Sequence, residues 1–173
     1  MAETLNTLKA RRSCRAYKPE PIEREKLDAI IEAGTYAATG MGRQSPIIIA
    51  VTDRETRDRL WRMNAAVMGV DTDPFYGAPE LLIVLADRAV PTYLYDGSLV
   101  MGNLMNAAAD LGVASCWIHR AKEEFDSAEG KALLKSLGIE GDYEGIGHVI
   151  LGYAAAPAKE AAPRKANYVY RID

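Results

Sequence analysis

Five of the ten residues from Lys9 to Lys18 are basic (Lys9, Arg11, Arg12, Arg15, Lys18), in a 173-residue chain whose net charge is -3. Such a concentration wants an anion. In an extended segment the side-chain period of two puts Arg11, Ser13 and Arg15 on one side, offering two guanidinium forks and a hydroxyl to a phosphate or a planar heterocycle. A second basic pair, Arg164-Lys165, can close on the same group from the far end of the chain. Charge and spacing leave two other readings open. The cations can be solvated charges at a helix end, where they also suit the dipole, or an Arg-rich nucleic-acid site that lacks interleaved aromatic residues.

Other chemistries find little support. Cys14 and Cys116 form no C-x-x-C pair, and with His119 and His148 as the two histidines the ligand spacings for zinc or iron-sulfur are missing, so no metal is expected. Cys14 sits between arginines, a setting that can lower a thiol pKa. The acidic balance argues against a general nucleic-acid surface. The chain has no signal-like start and no run near the about 20 apolar residues of a membrane span, so a reduced, cytoplasmic setting is expected.

With 49% hydrophobic residues the chain can bury a real core, and a single domain over residues 1–173 is expected. Leu5 and Leu8 mark a short helix ahead of the basic segment. Pro19 and Pro21 enforce extension, and Leu27, Ile30 and Ile31 then give the stripe of an amphipathic helix reaching about Ala37. A glycine-containing loop runs from Thr39 to Ser45. Ile47 to Val51 and Leu81 to Ala86 read as strands buried on both faces, with a helix capped by Asp53 and ending near Gly69 between them. The stretch Asp71 to Pro79 has turn chemistry, and Phe75 and Tyr76 within it are candidates for lining a substrate pocket.

From Tyr93 to Leu111 the apolar residues go almost all the way round, which predicts a helix buried in a core or a subunit interface. Strands are expected from Val113 to Ile118 and from His148 to Tyr153, with a surface helix from Ser127 to Leu137. Ala154 to Ala162 is an Ala/Pro-rich connector. The tail Tyr168 to Ile172 alternates and can add an edge strand, to its own sheet or a partner's. The fold class is α+β.

The order of these pieces carries a resemblance. Arg11-Arg12-Ser13-Cys14-Arg15-Ala16-Tyr17, followed by Pro21-Ile22 and the Leu27/Ile30/Ile31 helix, closely resembles the opening of the FMN-dependent nitroreductase family. Ala37 to Gln44 is similar to that family's flavin-contacting loop, Asp73 to Pro79 to its loop before a central strand, and Leu111 to Ile118 to its late flavin-contacting strand. Gly152-Tyr153 and then Arg164-Lys165 complete the series across nearly the whole chain.

The resemblance implies a three-layer α/β/α sandwich with a mixed central sheet, in a homodimer that holds FMN at the subunit interface and exchanges a C-terminal strand. It implies that Arg11, Arg12, Ser13, Arg164 and Lys165 hold the FMN phosphate, with Cys14 in the same segment. Arg15 would reach the pyrimidine end and stabilise the reduced flavin. Asn64 would lie against the flavin ring, with Thr39, Gly42 and Gln44 in the loop and Cys116, Trp117 and Ile118 contributing largely through backbone. Many relatives carry Pro-Ser and then Asn where this chain has Ala38-Thr39 and then Gly42, so a side-chain amide is lost there.

The activity implied is hydride transfer from NAD(P)H to a nitroaromatic, quinone or similar electron-poor acceptor, by ping-pong turnover with no protein nucleophile. Relatives with another reductive or flavin-modifying reaction, and a non-catalytic FMN-storing or sensing protein, are the alternatives. No Rossmann fingerprint is present to distinguish NADH from NADPH.

Overall fold

The computed structural model describes residues 3–172; Met1, Ala2 and Asp173, the ends of the expected 1–173 domain, lie outside the described residues. Ten elements follow in order. They are α1 (Glu3–Ala10), α2 (Arg24–Thr35), β1 (Pro46–Val51), α3 (Arg54–Met68), β2 (Glu80–Asp87), α4 (Tyr93–Asp110), β3 (Ala114–Ile118), α5 (Ala121–Asp126), α6 (Ala128–Ser136) and β4 (Tyr143–Gly152).

The four strands make one sheet in the order β1-β2-β4-β3, and every pairing is antiparallel. The mixed character expected of the sheet comes down to one parallel bridge, Ser13 to Ser115, on the free edge of β3. Alternation along the strands sorts the core into two layers. Leu82, Val84 and Ala86 of β2 meet Val149 and Leu151 of β4 under α2 and α4. Leu81, Ile83 and Leu85 meet Ile150, Cys116 and Ile118 on the other face, beneath α3, α5 and α6. The α+β class and the three layers are therefore as expected.

Local signals account for the helix ends. The Asp53 carboxylate accepts from the Thr56 N–H at 2.7 Å, and Gly69 closes α3 with φ of 73°, a conformation glycine adopts freely. Ser127 caps α6, accepting from the Gly130 N–H at 3.0 Å.

Four expectations need correction. β1 is an edge strand and only half-buried from Pro46 to Ile49, because it has a partner on one side alone. β4 starts five residues earlier than its apolar run suggests, at Tyr143, with glycines 145 and 147 inside it. Helix α5 was not expected at all. Among the described residues the tail adds no strand to this sheet; it forms a single 3₁₀ turn at Ala166–Tyr168 and stays exposed. Helix α4 buries Val100, Met101, Leu104 and Ala108, yet Leu94, Tyr95 and Leu99 remain on the surface, Tyr95 by 74%. No helix among the described residues is long and apolar enough to cross a membrane.

Candidate functional site

Helix α1 ends where the basic run begins. The Arg12 Nη1 group donates to the carbonyls of Lys9 (2.8 Å) and Arg11 (2.7 Å), satisfying acceptors that the end of the helix leaves open. Beyond it the chain is extended and pinned at both margins. Cys14 N–H donates to Ser115 O at 2.9 Å, Lys18 N–H to Tyr153 O at 2.8 Å, and Ala155 N–H to Ala16 O at 2.9 Å. The segment 11–18 is thus held between the free edge of β3 and the exit of β4.

These constraints open a cavity of about 930 Å³. Its walls are Arg11 to Ala16, the α1 residues Asn6, Thr7 and Ala10, the end of α4 through Ala114, and the connector at Ala154 and from Ala156 to Lys159. Among the described residues Asp110 is the one acid in the lining, and its Oδ1 already accepts the Thr7 hydroxyl at 2.8 Å. Arg11 Nη1 and Arg12 Nε are buried without a hydrogen-bond partner. Buried guanidinium donors left open in this way cost free energy until an acceptor arrives, so the arrangement fits an anionic group such as a phosphate.

The thiols nearby are not set up as nucleophiles. Burial pushes the Cys116 thiol up, against the pull of Ser13 and Arg15, and Cys14 Sγ donates to Ala16 O at 3.2 Å. Tyr17 is also driven up, first by burial and then by the neighbouring cysteines, and its hydroxyl donates to Cys14 O at 3.1 Å. Ile118 is buried in the α5 layer, whereas Trp117 packs half-buried toward α4. The Trp117 indole N–H has no partner and lies hard against Gly147, where an added Cβ would sit 2.3 Å from it.

The loop bearing Thr39, Gly42 and Gln44 lies elsewhere. Met41, Gly42 and Gln44 all have positive φ (54°, 66° and 50°), and the Thr39 hydroxyl accepts from the Gln44 N–H at 3.2 Å. Asp96, near the start of α4, anchors this loop: its carboxylate accepts from Gly40 N–H (2.9 Å), Ser45 Oγ (2.7 Å) and Thr92 Oγ1 (3.0 Å). The basic cavity is at the other end of the same helix, about 21 Å away at 1.5 Å per residue. One chain does not bring the two groups of candidates together.

Asn64, Phe75, Arg164 and Lys165 are also placed apart from the cavity. Asn64 is fully buried between α3 and the start of α5, its Nδ2 donating to His119 O (2.8 Å) and to Glu124 Oε1, while its Oδ1 accepts from Arg120 Nε at 3.0 Å. Its side chain is spent inside the fold. Phe75 is a fully buried core ring 5.2 Å from His148, which bonds Glu124 at 2.9 Å, and is not in the wall of the basic cavity; Tyr76, 42% exposed, faces solvent. The Arg164 guanidinium turns onto Ala162 O, and the Lys165 ammonium lies 5.5 Å from the Tyr168 ring centre.

Two residues of this region went unremarked in the sequence. Asp96 reads there as a polar interruption in an apolar helix, and that interruption is its only signal. Lys159 reads as part of the Ala/Pro connector, although it is the connector's one cation. Among the described residues no group of three or more His, Cys, Asp or Glu could hold a metal ion.

Comparison with known proteins places this geometry in context. The model of the Nitroreductase family matches residues 8–153. A nitroreductase with bound FMN from Bacteroides fragilis NCTC 9343 is 33% identical, with a TM-score of 0.90 and full coverage of both chains. A second nitroreductase with bound FMN, from Desulfitobacterium hafniense DCB-2, is 28% identical, with a TM-score of 0.87 over 99% of this chain and 100% of that one. The FMN reductase [NAD(P)H] of Bacillus subtilis (strain 168) is 32% identical over 122 residues, 66% of this chain, which spans about half (47%) of that relative's length. All four strands and the basic opening fall within the matched span, and the chain belongs to the nitroreductase family.

Proposed function

We propose that the protein is an FMN-dependent oxidoreductase that takes a hydride from NAD(P)H and passes it to nitroaromatics, quinones or similar electron-poor acceptors by ping-pong turnover. The observation that carries this reading is a cavity lined by Arg11, Arg12 and Arg15 with a single acid among its described residues. The solved relatives with bound FMN and the NAD(P)H-dependent reductase of Bacillus subtilis supply the cofactor and donor class.

In this reading Arg11, Arg12 and Ser13 hold the phosphate, and Arg15 stands toward the pyrimidine end, where a cation favours the anionic reduced ring. Bound FMN supplies the hydride chemistry itself at N5. The chain's own residues bind, orient and shield, which is why no thiol or histidine needs activation. The Thr39–Gln44 loop joins the site from a second copy, since its own cavity lies at the far end of α4. Exposed Leu94, Tyr95 and Leu99 on α4, with Tyr168, Val169, Tyr170 and Ile172 in the tail, supply apolar surface for that homodimer. Two free thiols suit a reducing cytoplasm.

The test is a titration of apoprotein with FMN, following flavin fluorescence, for wild type and Arg11→Ala. Loss of a charge-assisted contact to phosphate should weaken binding about tenfold or more. Equal affinity in the two proteins would remove Arg11 from the site.

A further inference from the structure

The connector after β4 does not run free. Tyr17 bridges Ala154, and Ala155 N–H donates to Ala16 O at 2.9 Å, so the first residues past the strand are tied to the segment that carries Arg15. From that anchor the chain continues along the cavity wall from Ala156 through Pro157 and Ala158 to Lys159. Small side chains and the fixed φ of proline keep this stretch close and leave little freedom until the lysine. Lys159 therefore joins Arg11, Arg12 and Arg15 around one cavity, opposed among the described residues by Asp110 alone.

We infer that Lys159 is a further cofactor-binding residue, which closes the connector onto the phosphate of the flavin. The inference rests on the function proposed above. A phosphate monoester carries about -1.5 to -2 charge near neutral pH and three acceptor oxygens, more than one guanidinium satisfies. Arg12 already spends its Nη1 on the end of α1, so part of its donor capacity is unavailable to an anion. A lysine brings a mobile point charge with three donors, which can meet the oxygens that the rigid arginine forks leave open. Arg164 and Lys165, the later basic pair, are engaged with Ala162 O and the Tyr168 ring within this chain.

The experiment compares FMN with riboflavin, which has the same ring and ribityl chain but no phosphate. Affinities are measured by flavin fluorescence for wild type, Lys159→Ala, Lys159→Arg and, as a remote control on α6, Lys135→Ala, at two salt concentrations. Lys159→Ala should weaken FMN about tenfold, leave riboflavin unchanged and flatten the salt dependence of FMN binding; Lys159→Arg should restore most of the loss. Unchanged FMN affinity in Lys159→Ala overturns the inference while leaving the flavin reading intact. An equal loss for FMN and riboflavin also overturns it, since the connector would then act by packing and not through phosphate. If wild type binds neither, the proposed function fails first and the inference falls with it.

Discussion

The Ser45 hydroxyl donates to Asp96 Oδ2 at 2.7 Å, with both side chains buried, and this bond ties the glycine loop to the start of α4. Burial would raise the Asp96 carboxyl, but hydrogen bonds from Gly40, Ser45 and Thr92 outweigh it and hold the group below its ordinary value of 3.8. A carboxylate depressed in the folded state adds stability that is complete above the unfolded value and is lost as pH falls through the folded one. Asp96→Asn should cost about 2–3 kcal/mol near neutral pH, read from urea unfolding, and should make the stability profile shallower below about pH 4. An unchanged acid limb would mean that Asp96 does not carry this coupling.

Glu80 presents the opposite sign. It is buried and accepts from the Ile22 N–H at 3.2 Å, and burial raises its carboxyl above the ordinary 4.5 despite that bond and the charge of Arg24. Its contribution is therefore complete below the unfolded value and declines as pH rises through the folded one. Glu80→Gln keeps an acceptor for Ile22 and removes the buried charge, so at pH 7 it should match or exceed wild type in thermal midpoint. A clear fall in midpoint would show that the charge itself is stabilising.

Asn64 joins α3 to the turn after β3 through His119, Arg120 and Glu124. Asn64→Ala removes the donor to His119 O and the acceptor of Arg120 Nε, leaves the buried Glu124 Oε1 with His148 alone, and should destabilise the fold by about 2–4 kcal/mol. Flavin retained per folded molecule should stay the same. A selective loss of flavin in a protein of normal stability would return Asn64 to the cofactor.

For the loop before β2, Phe75→Ala should cost about 3–5 kcal/mol by emptying a fully buried ring site beside His148. Tyr76→Ala, at an exposed position with φ of 53°, should change stability by less than about 1 kcal/mol. Comparable losses for the two would contradict the division between core and surface.

What was legible in the chain depended on whether the signal was local. Helix α3 announced itself through Asp53 at one end and Gly69 at the other, and the basic density of residues 9–18 marked the segment whose residues 11–16 line the cavity. Edge status was invisible for β1, because an apolar run looks the same whether it has one neighbour or two. The fate of Asn64 was invisible too, since its partners come 55 to 60 residues later. The tail alternates like a strand, but alternation cannot name a partner, and among the described residues of one chain it pairs with no strand. The resemblance proposed the site's members; the fold puts Arg11 to Arg15 beside one end of α4 and the Thr39–Gln44 loop beside the other.

The most direct test of the account is the visible spectrum of the purified protein after incubation with FMN and removal of excess, followed by anaerobic addition of NADH or NADPH. Flavin bands that stay with the protein and bleach on addition of either nucleotide are the predicted result. Retained flavin that neither nucleotide bleaches would contradict the oxidoreductase reading, and a colourless protein would contradict flavin binding itself.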